Sequence, residues 1–153
     1  MMTMSQATIL HVEDDSNDVL LFRHAFQKAG IGCNLQAVGD GDEAIAYLHG
    51  DKEFSNRQAH PLPNLVLLDL KMPRVSGFEV LSWMRQAEEY RRIPVVILTS
   101  SNHDVDVQKA YENGANSYLV KPVDFNRLVD LVKTIHSYWL GVNELPRRDE
   151  LTF

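Results

Sequence analysis

Four apolar runs in this 153-residue chain end on side chains that can do chemistry. Ile9-Leu10-His11-Val12 leads to Glu13 and Asp14, and Leu65-Val66-Leu67-Leu68 to Asp69. Val95-Val96-Ile97-Leu98 leads to Thr99, and Tyr118-Leu119-Val120 to Lys121. Three carboxylates in one small space repel, since two unit charges about 4 Å apart cost roughly 4 kcal/mol at an effective dielectric near 20. Such a cluster takes up protons unless a cation relieves it. Magnesium prefers oxygen ligands and keeps several waters, so one or two direct carboxylates suffice. Lys121 brings a compact positive charge suited to a phosphoryl oxygen, and Thr99 brings a hydroxyl donor. Carboxylate nucleophile, magnesium, lysine and hydroxyl together suit phosphoryl transfer onto Asp69, where the work is mostly positioning and charge neutralisation. Taken singly each residue is ordinary; a lone acid after a strand usually just closes it.

These side chains can act together only if their strands are neighbours. Four apolar residues before Asp69 read as a strand buried on both faces. Pro73 then ends the pairing, because proline has no N–H to give. Ser16 is the expected N-cap of a helix that turns Val19, Leu20, Ala25, Phe26 and Ala29 inward and stops at Gly30. Leu35 to Val38 make a second strand, and Gly39-Asp40-Gly41 leads into a helix with Ala44, Ile45 and Leu48 inward. Ser76 and Glu79 have the spacing of a capping box, opening a helix with Val80, Leu81, Met84 and Ala87 inward. Val107, Ala110 and Tyr111 mark the inner face of the next helix, which Gly114 ends. Asp124 caps the last helix, with Leu128, Leu131, Val132 and Ile135 at helical spacing. Connections are usually about 2–6 residues, so Gly50–Asn64 is an insertion, read as a solvated surface loop. Five alternations of strand and helix predict an α/β domain with a parallel sheet and helices on both faces. Its site lies beyond the carboxyl ends of the strands.

The length fits a single domain, 1–153, with its core over about 7–138 and a C-terminal tail over 139–153. At 44% hydrophobic residues the chain can bury a full core. A net charge of -6 argues against non-specific nucleic-acid binding. The single cysteine, Cys33, excludes an internal disulfide and fits a reducing cytoplasm. Met1 to Thr8 lack the basic and apolar regions of a signal peptide. No apolar run approaches the roughly 18 residues that span a bilayer. The six histidines lack metal-ligand spacing, and His11, inside the first strand, is read as partly buried and hydrogen-bonded.

Val12-Glu13-Asp14-Asp15, Leu68-Asp69-Leu70-Lys71-Met72-Pro73 with Gly77, Ile97-Leu98-Thr99-Ser100 and Lys121-Pro122 form a specific set. From about Ala7 to Tyr138 they resemble the receiver domain of two-component response regulators. The resemblance implies a doubly wound, five-stranded sheet of flavodoxin-like order 2-1-3-4-5. It implies that Asp69 is the phosphoacceptor for a sensor histidine kinase. Asp14 and Asp69 would bind magnesium directly with the backbone carbonyl of Lys71, and Glu13 would act through metal-bound water. Thr99 and Lys121 would hold phosphoryl oxygens, and the Lys121-Pro122 bond would be cis. Tyr118 matches the aromatic switch, whose ring turns inward when Thr99 moves toward the phosphate.

The Gly50–Asn64 loop and the ending Tyr138-Trp139-Leu140 through Asn143 to Pro146 resemble single-domain receivers like the response regulator of cyanobacterial phytochrome. That implies a phytochrome-like or other light- or redox-sensing kinase as partner, and a homodimer through the last helices and tail. Lys71 and Ser101 occupy positions that tune phosphoryl lifetime in the family. Neither is an acid or amide, so slow self-dephosphorylation is expected, and the protein is expected to be a switch rather than an enzyme. Fifteen residues after Tyr138 are too few for a DNA-binding module. Two rivals remain. A pseudo-receiver would be signalled by loss of an acid, the threonine or the lysine. An aspartate-nucleophile phosphatase generally needs a second acid where Lys71 stands, and a cap for which only the Gly50–Asn64 loop is available.

Overall fold

The computed structural model describes residues 7–146. Five parallel strands form one sheet: β1 (Thr8–Val12), β2 (Asn34–Val38), β3 (Leu65–Leu68), β4 (Val95–Thr99) and β5 (Ser117–Val120). Their order is β2-β1-β3-β4-β5, as expected. The helices are α1 (Ser16–Ala29), α2 (Gly41–His49), α3 (Gly77–Gln86), α4 (Asp104–Glu112) and α5 (Phe125–Ile135).

Strand pleating explains the continuous apolar runs. Leu10, Val12, Val66, Leu68, Val95 and Ile97 face one layer, packed with Tyr47 and Leu48 of α2, Val80, Leu81 and Met84 of α3, and Ala110 of α4. The alternate residues Ile9, Leu65, Leu67, Val96 and Leu98 face the other, against Phe22 and Phe26 of α1 and Val129, Val132 and Ile135 of α5. A strand covered on both faces has no polar side to show.

The register brings the strand tips level. Val12 pairs with Leu68, and Leu68 with Ile97. Thr99 pairs with Val120. The Asp69 N–H donates to the Val12 carbonyl at 3.1 Å, and the Lys121 N–H to the Thr99 carbonyl at 2.8 Å. The residues after β1, β3 and β5 therefore leave the sheet on the same edge as Thr99.

Several local expectations are corrected. Asp15, not Ser16, caps α1, accepting N–H bonds from Asn17 at 2.9 Å and Asp18 at 3.4 Å. An extended backbone and a carboxylate beside the positive helix end suit Asp15 to the role. The 50–64 segment is not simply solvated. Phe54 is buried against Tyr47, and Arg57 donates to the carbonyls of Tyr47 (2.8 Å), Leu48 (2.6 Å) and His60 (3.1 Å). The guanidinium fork thus reaches the Leu48 carbonyl, adds a second donor to the Tyr47 carbonyl that already takes the Gly50 N–H, and ties the end of α2 to His60 in the loop. In α4, Tyr111 is 49% exposed while Asp106 is buried, because partners on neighbouring loops hold that carboxylate. The chain continues from α5 as a π-helical stretch, His136–Val142, with Leu140 buried and the Asn143 N–H reaching the Tyr138 carbonyl at 2.7 Å. The end of the expected tail, 147–153, lies outside the described residues.

Candidate functional site

Each site residue is carried by a strand end, and the packing behind it is stiff. Glu13 and Asp69 are buried, while Asp14 is exposed at the rim. One carboxylate oxygen from each of Glu13, Asp14 and Asp69 lies within 4.8 Å of the others. Asp69 Oδ1 accepts the Leu70 N–H at 2.9 Å, which orients the carboxylate. Gly77 sits so close beneath that a Cβ there would lie 2.1 Å from the Asp69 carbonyl oxygen. Thr99 closes β4, also buried.

Lys121 joins these acids. Its Nζ donates to Glu13 Oε1, lies 2.9 Å from Asp18 Oδ2, and is 3.9 Å from Asp69 Oδ2. Burial pushes the Glu13 carboxyl up to about 7; the Lys121 hydrogen bond opposes this and the Asp69 charge adds to it. Burial lowers the Lys121 pKa, but its hydrogen bonds to Glu13 and Asp18 outweigh that and the net shift is upward. The ammonium therefore stays charged among the carboxylates. The donor set is all oxygen, mixes buried and rim positions, and carries excess negative charge, which fits a hard divalent cation.

Glu13, Asp14, Asp69 and Lys121 come together and Thr99 ends the neighbouring strand, while one expectation is corrected. Among the described residues no peptide bond is cis, so Lys121-Pro122 is trans. Trans is the lower state of an X–Pro bond by about 0.5–1 kcal/mol, and from it Lys121 already reaches Glu13 and Asp18. Tyr118 is half-buried, and its hydroxyl donates to the Ser101 carbonyl at 2.9 Å. The Lys71 side chain turns away from the acids toward Asp106, with Nζ 3.4 Å from Oδ2.

Two participants escaped sequence reasoning. Asp18 reads as an acid favouring a helix start, and Asp106 as a solvated one. Asp18 contacts a residue 103 positions away, so no local pattern announces it.

A parallel sheet of order β2-β1-β3-β4-β5 with acids, threonine and lysine at its carboxyl edge defines a doubly wound α/β domain with its site at the strand tips. The chain belongs to the response regulator receiver domain family, whose model matches residues 9–133. It is 42% identical over 138 residues to the probable methanogenesis regulatory protein FilR2 of Methanothrix harundinacea, covering 90% of this chain and 86% of that one. It is 39% identical over 138 residues to response regulator Rcp1 of Synechocystis sp., covering 90% and 92%. The solved Mn(2+)-bound form of Rcp1 has a TM-score of 0.81 at 38% identity, covering 92% of this chain and 99% of that one. The phosphorylated cyanobacterial phytochrome response regulator RcpA has a TM-score of 0.84 at 34% identity, covering 93% and 99%. No helix among the described residues is long and apolar enough to cross a membrane.

Proposed function

We propose that Asp69 accepts a phosphoryl group from the phosphohistidine of a sensor histidine kinase, in a magnesium-dependent reaction in the cytoplasm. The modified chain then presents an altered protein-interaction surface. The reading rests on one observation: Lys121 Nζ lies 3.9 Å from Asp69 Oδ2, at a point where the oxygens of Glu13, Asp14 and Asp69 converge within 4.8 Å. An Asp69 oxygen attacks phosphorus, the phosphorus–nitrogen bond breaks, and its electron pair returns to the kinase imidazole. The Leu70 N–H holds Oδ1, leaving Oδ2 on the Lys121 side as the attacking atom. Asp14, Asp69 and the Lys71 carbonyl would hold magnesium, with Glu13 behind them, and the ion would supply charge neutralisation. Lys121 and Thr99 bind the transferred oxygens.

The phosphoryl group replaces about one negative charge with nearly two. Thr99 is drawn toward it, and Tyr118, tied to Ser101 just beyond Thr99, follows the loop. That is a two-state element biased by a local charge change. The likeness to RcpA supports a phytochrome-like kinase as partner. Exposed Tyr138 and Val142 of the π-helical stretch support a homodimer through the C-terminal helices.

The rivals lose their footing. The acids, the threonine and the lysine are all present, so the loss that would signal a pseudo-receiver is missing. Lys71 stands where a phosphatase would place its second acid. The 50–64 segment is clamped to the C-terminal turn of α2, whereas the α2 N-terminus faces the loop after Asp69 through the Asp40–Arg74 pair at 2.7 Å. It therefore makes no cap over Asp69.

The test is intact mass after incubation with acetyl phosphate and magnesium, for wild type and Asp69→Asn. One added phosphoryl group in wild type only, lost without magnesium, is expected. No adduct in wild type from acetyl phosphate or from a phosphorylated histidine kinase would overturn the reading.

A further inference from the structure

Asp106 stands in the first turn of α4, where an acid ordinarily faces water and favours the helix dipole. It is only 9% exposed. Its Oδ2 accepts the Ser101 hydroxyl at 2.6 Å and lies 3.4 Å from Lys71 Nζ. Ser101 Oγ also accepts the His103 N–H at 3.3 Å, and the Ser101 carbonyl accepts the Tyr118 hydroxyl at 2.9 Å. One carboxylate thus joins the loop after Asp69 to the loop after Thr99, and Ser101 carries the link on to Tyr118 of β5. A solvated helix-start acid needs none of these partners.

We propose that Asp106 is a positioning residue that couples Lys71 to Ser101 and Tyr118, and so sets how long a phosphoryl group survives on Asp69. The lifetime half rests on the phosphoacceptor reading above. Lys71 carries its ammonium on a flexible four-carbon stem, and its side chain is 64% exposed, so only a partner fixes its place. Asp106 is that partner. While the pair holds, the ammonium is withheld from the phosphoryl oxygens. Released, it moves to the doubly charged group, stabilises it, and fills space that attacking water needs. Hydrolysis adds the water oxygen to phosphorus and returns the bonding pair to Asp69 as a carboxylate, and the proton leaves with the phosphate.

The experiment has two arms. In the unphosphorylated protein, Lys71→Ala is expected to shift the amide NMR resonances of Ser101 and Tyr118 in the wild-type background and to leave them unmoved in Asp106→Asn. Equal shifts in both backgrounds would overturn the coupling. In the second arm, the adduct formed with acetyl phosphate and magnesium is followed by intact mass after the donor is removed. Asp106→Asn is expected to lengthen its half-life by about two- to fivefold, the scale of one partly exposed ion pair. Asp106→Glu retains the wild-type half-life, and Lys71→Ala with Asp106→Asn decays like Lys71→Ala alone. An unchanged half-life in Asp106→Asn, or an effect that persists without Lys71, would overturn the inference while leaving Asp69 as acceptor. Absence of any wild-type adduct would remove the phosphoacceptor reading and the lifetime role together, with the NMR arm still deciding the coupling.

Discussion

Replacing Gly77 by alanine tests how Asp69 is held. The new Cβ would lie 2.1 Å from the Asp69 carbonyl oxygen, 2.8 Å from Leu70 Cα and 2.9 Å from the Asp69 carbonyl carbon. Real Cβ contacts do not go below 3.0 Å, so something must shift. All three atoms are backbone, so no side chain can swing clear. Nor is that backbone free to retreat. The Asp69 N–H is bonded to the Val12 carbonyl at 3.1 Å, and the Gly77 N–H to the Leu70 carbonyl at 3.1 Å. Overpacking a tight interior costs about 1–3 kcal/mol, and a clash with anchored backbone belongs at the upper end. At about 2–4 °C per kcal/mol for a chain of this size, Gly77→Ala should lower Tm by about 6–12 °C. Gly32→Ala is the control, because a Cβ there meets nothing within 4 Å and its φ is not positive. Thermal unfolding by circular dichroism reads the difference. Phosphoryl uptake on Asp69 should fall with it, since relieving the clash moves the acceptor. A Gly77→Ala Tm within about 2 °C of wild type would refute the reasoning.

His11 is buried in β1 with its ring 4.4 Å from Phe22, and burial first, then the charges of Lys121 and Arg23, lowers its pKa from 6.5 to about 3. Above pH 6.5 both folded and unfolded chains hold it neutral; as pH falls toward 3 only the unfolded chain takes the proton, so stability is lost. Urea unfolding from pH 7 to pH 4 should show wild type losing up to about 1.4 kcal/mol per pH unit more than His11→Gln, and parallel curves would contradict it. Arg57→Ala should cost about 2–3 kcal/mol by leaving the carbonyls of Tyr47, Leu48 and His60 short of a charged donor. Denaturant midpoints should show the loss, with faster protease cleavage inside 50–64. Ser76→Ala should cost about 1 kcal/mol, because Ser76 Oγ accepts the Glu79 N–H at 3.3 Å and Glu79 answers on the Ser76 N–H at 3.1 Å; an unchanged denaturant midpoint would show that the box contributes nothing.

What the amino-acid sequence determined by itself was whatever has a local period or a local stop. Buried strands are continuous apolar runs, so β1, β3 and β4 were legible, and with them the residues at their tips. Ser76 with Glu79 announces α3 over four positions, and Asp124 announces α5. Alternating strands and helices allow few sheets, so Glu13, Asp14, Asp69, Thr99 and Lys121 could be assigned to one edge before any coordinates. Tertiary structure decided which charged side chains meet. Lys121 finds Asp18 from 103 positions away, and Lys71 finds Asp106 only because β4 lies beside β3. Arg57 looked like a loop charge until the end of α2 offered it two carbonyls and His60 a third. The trans bond at Pro122 and the helical continuation past Tyr138 belong to the same class. Backbone periodicity is written into neighbours along the chain. A charged side chain takes its partner from whatever the folded sheet brings within reach, and that choice exists only once distant segments are packed together.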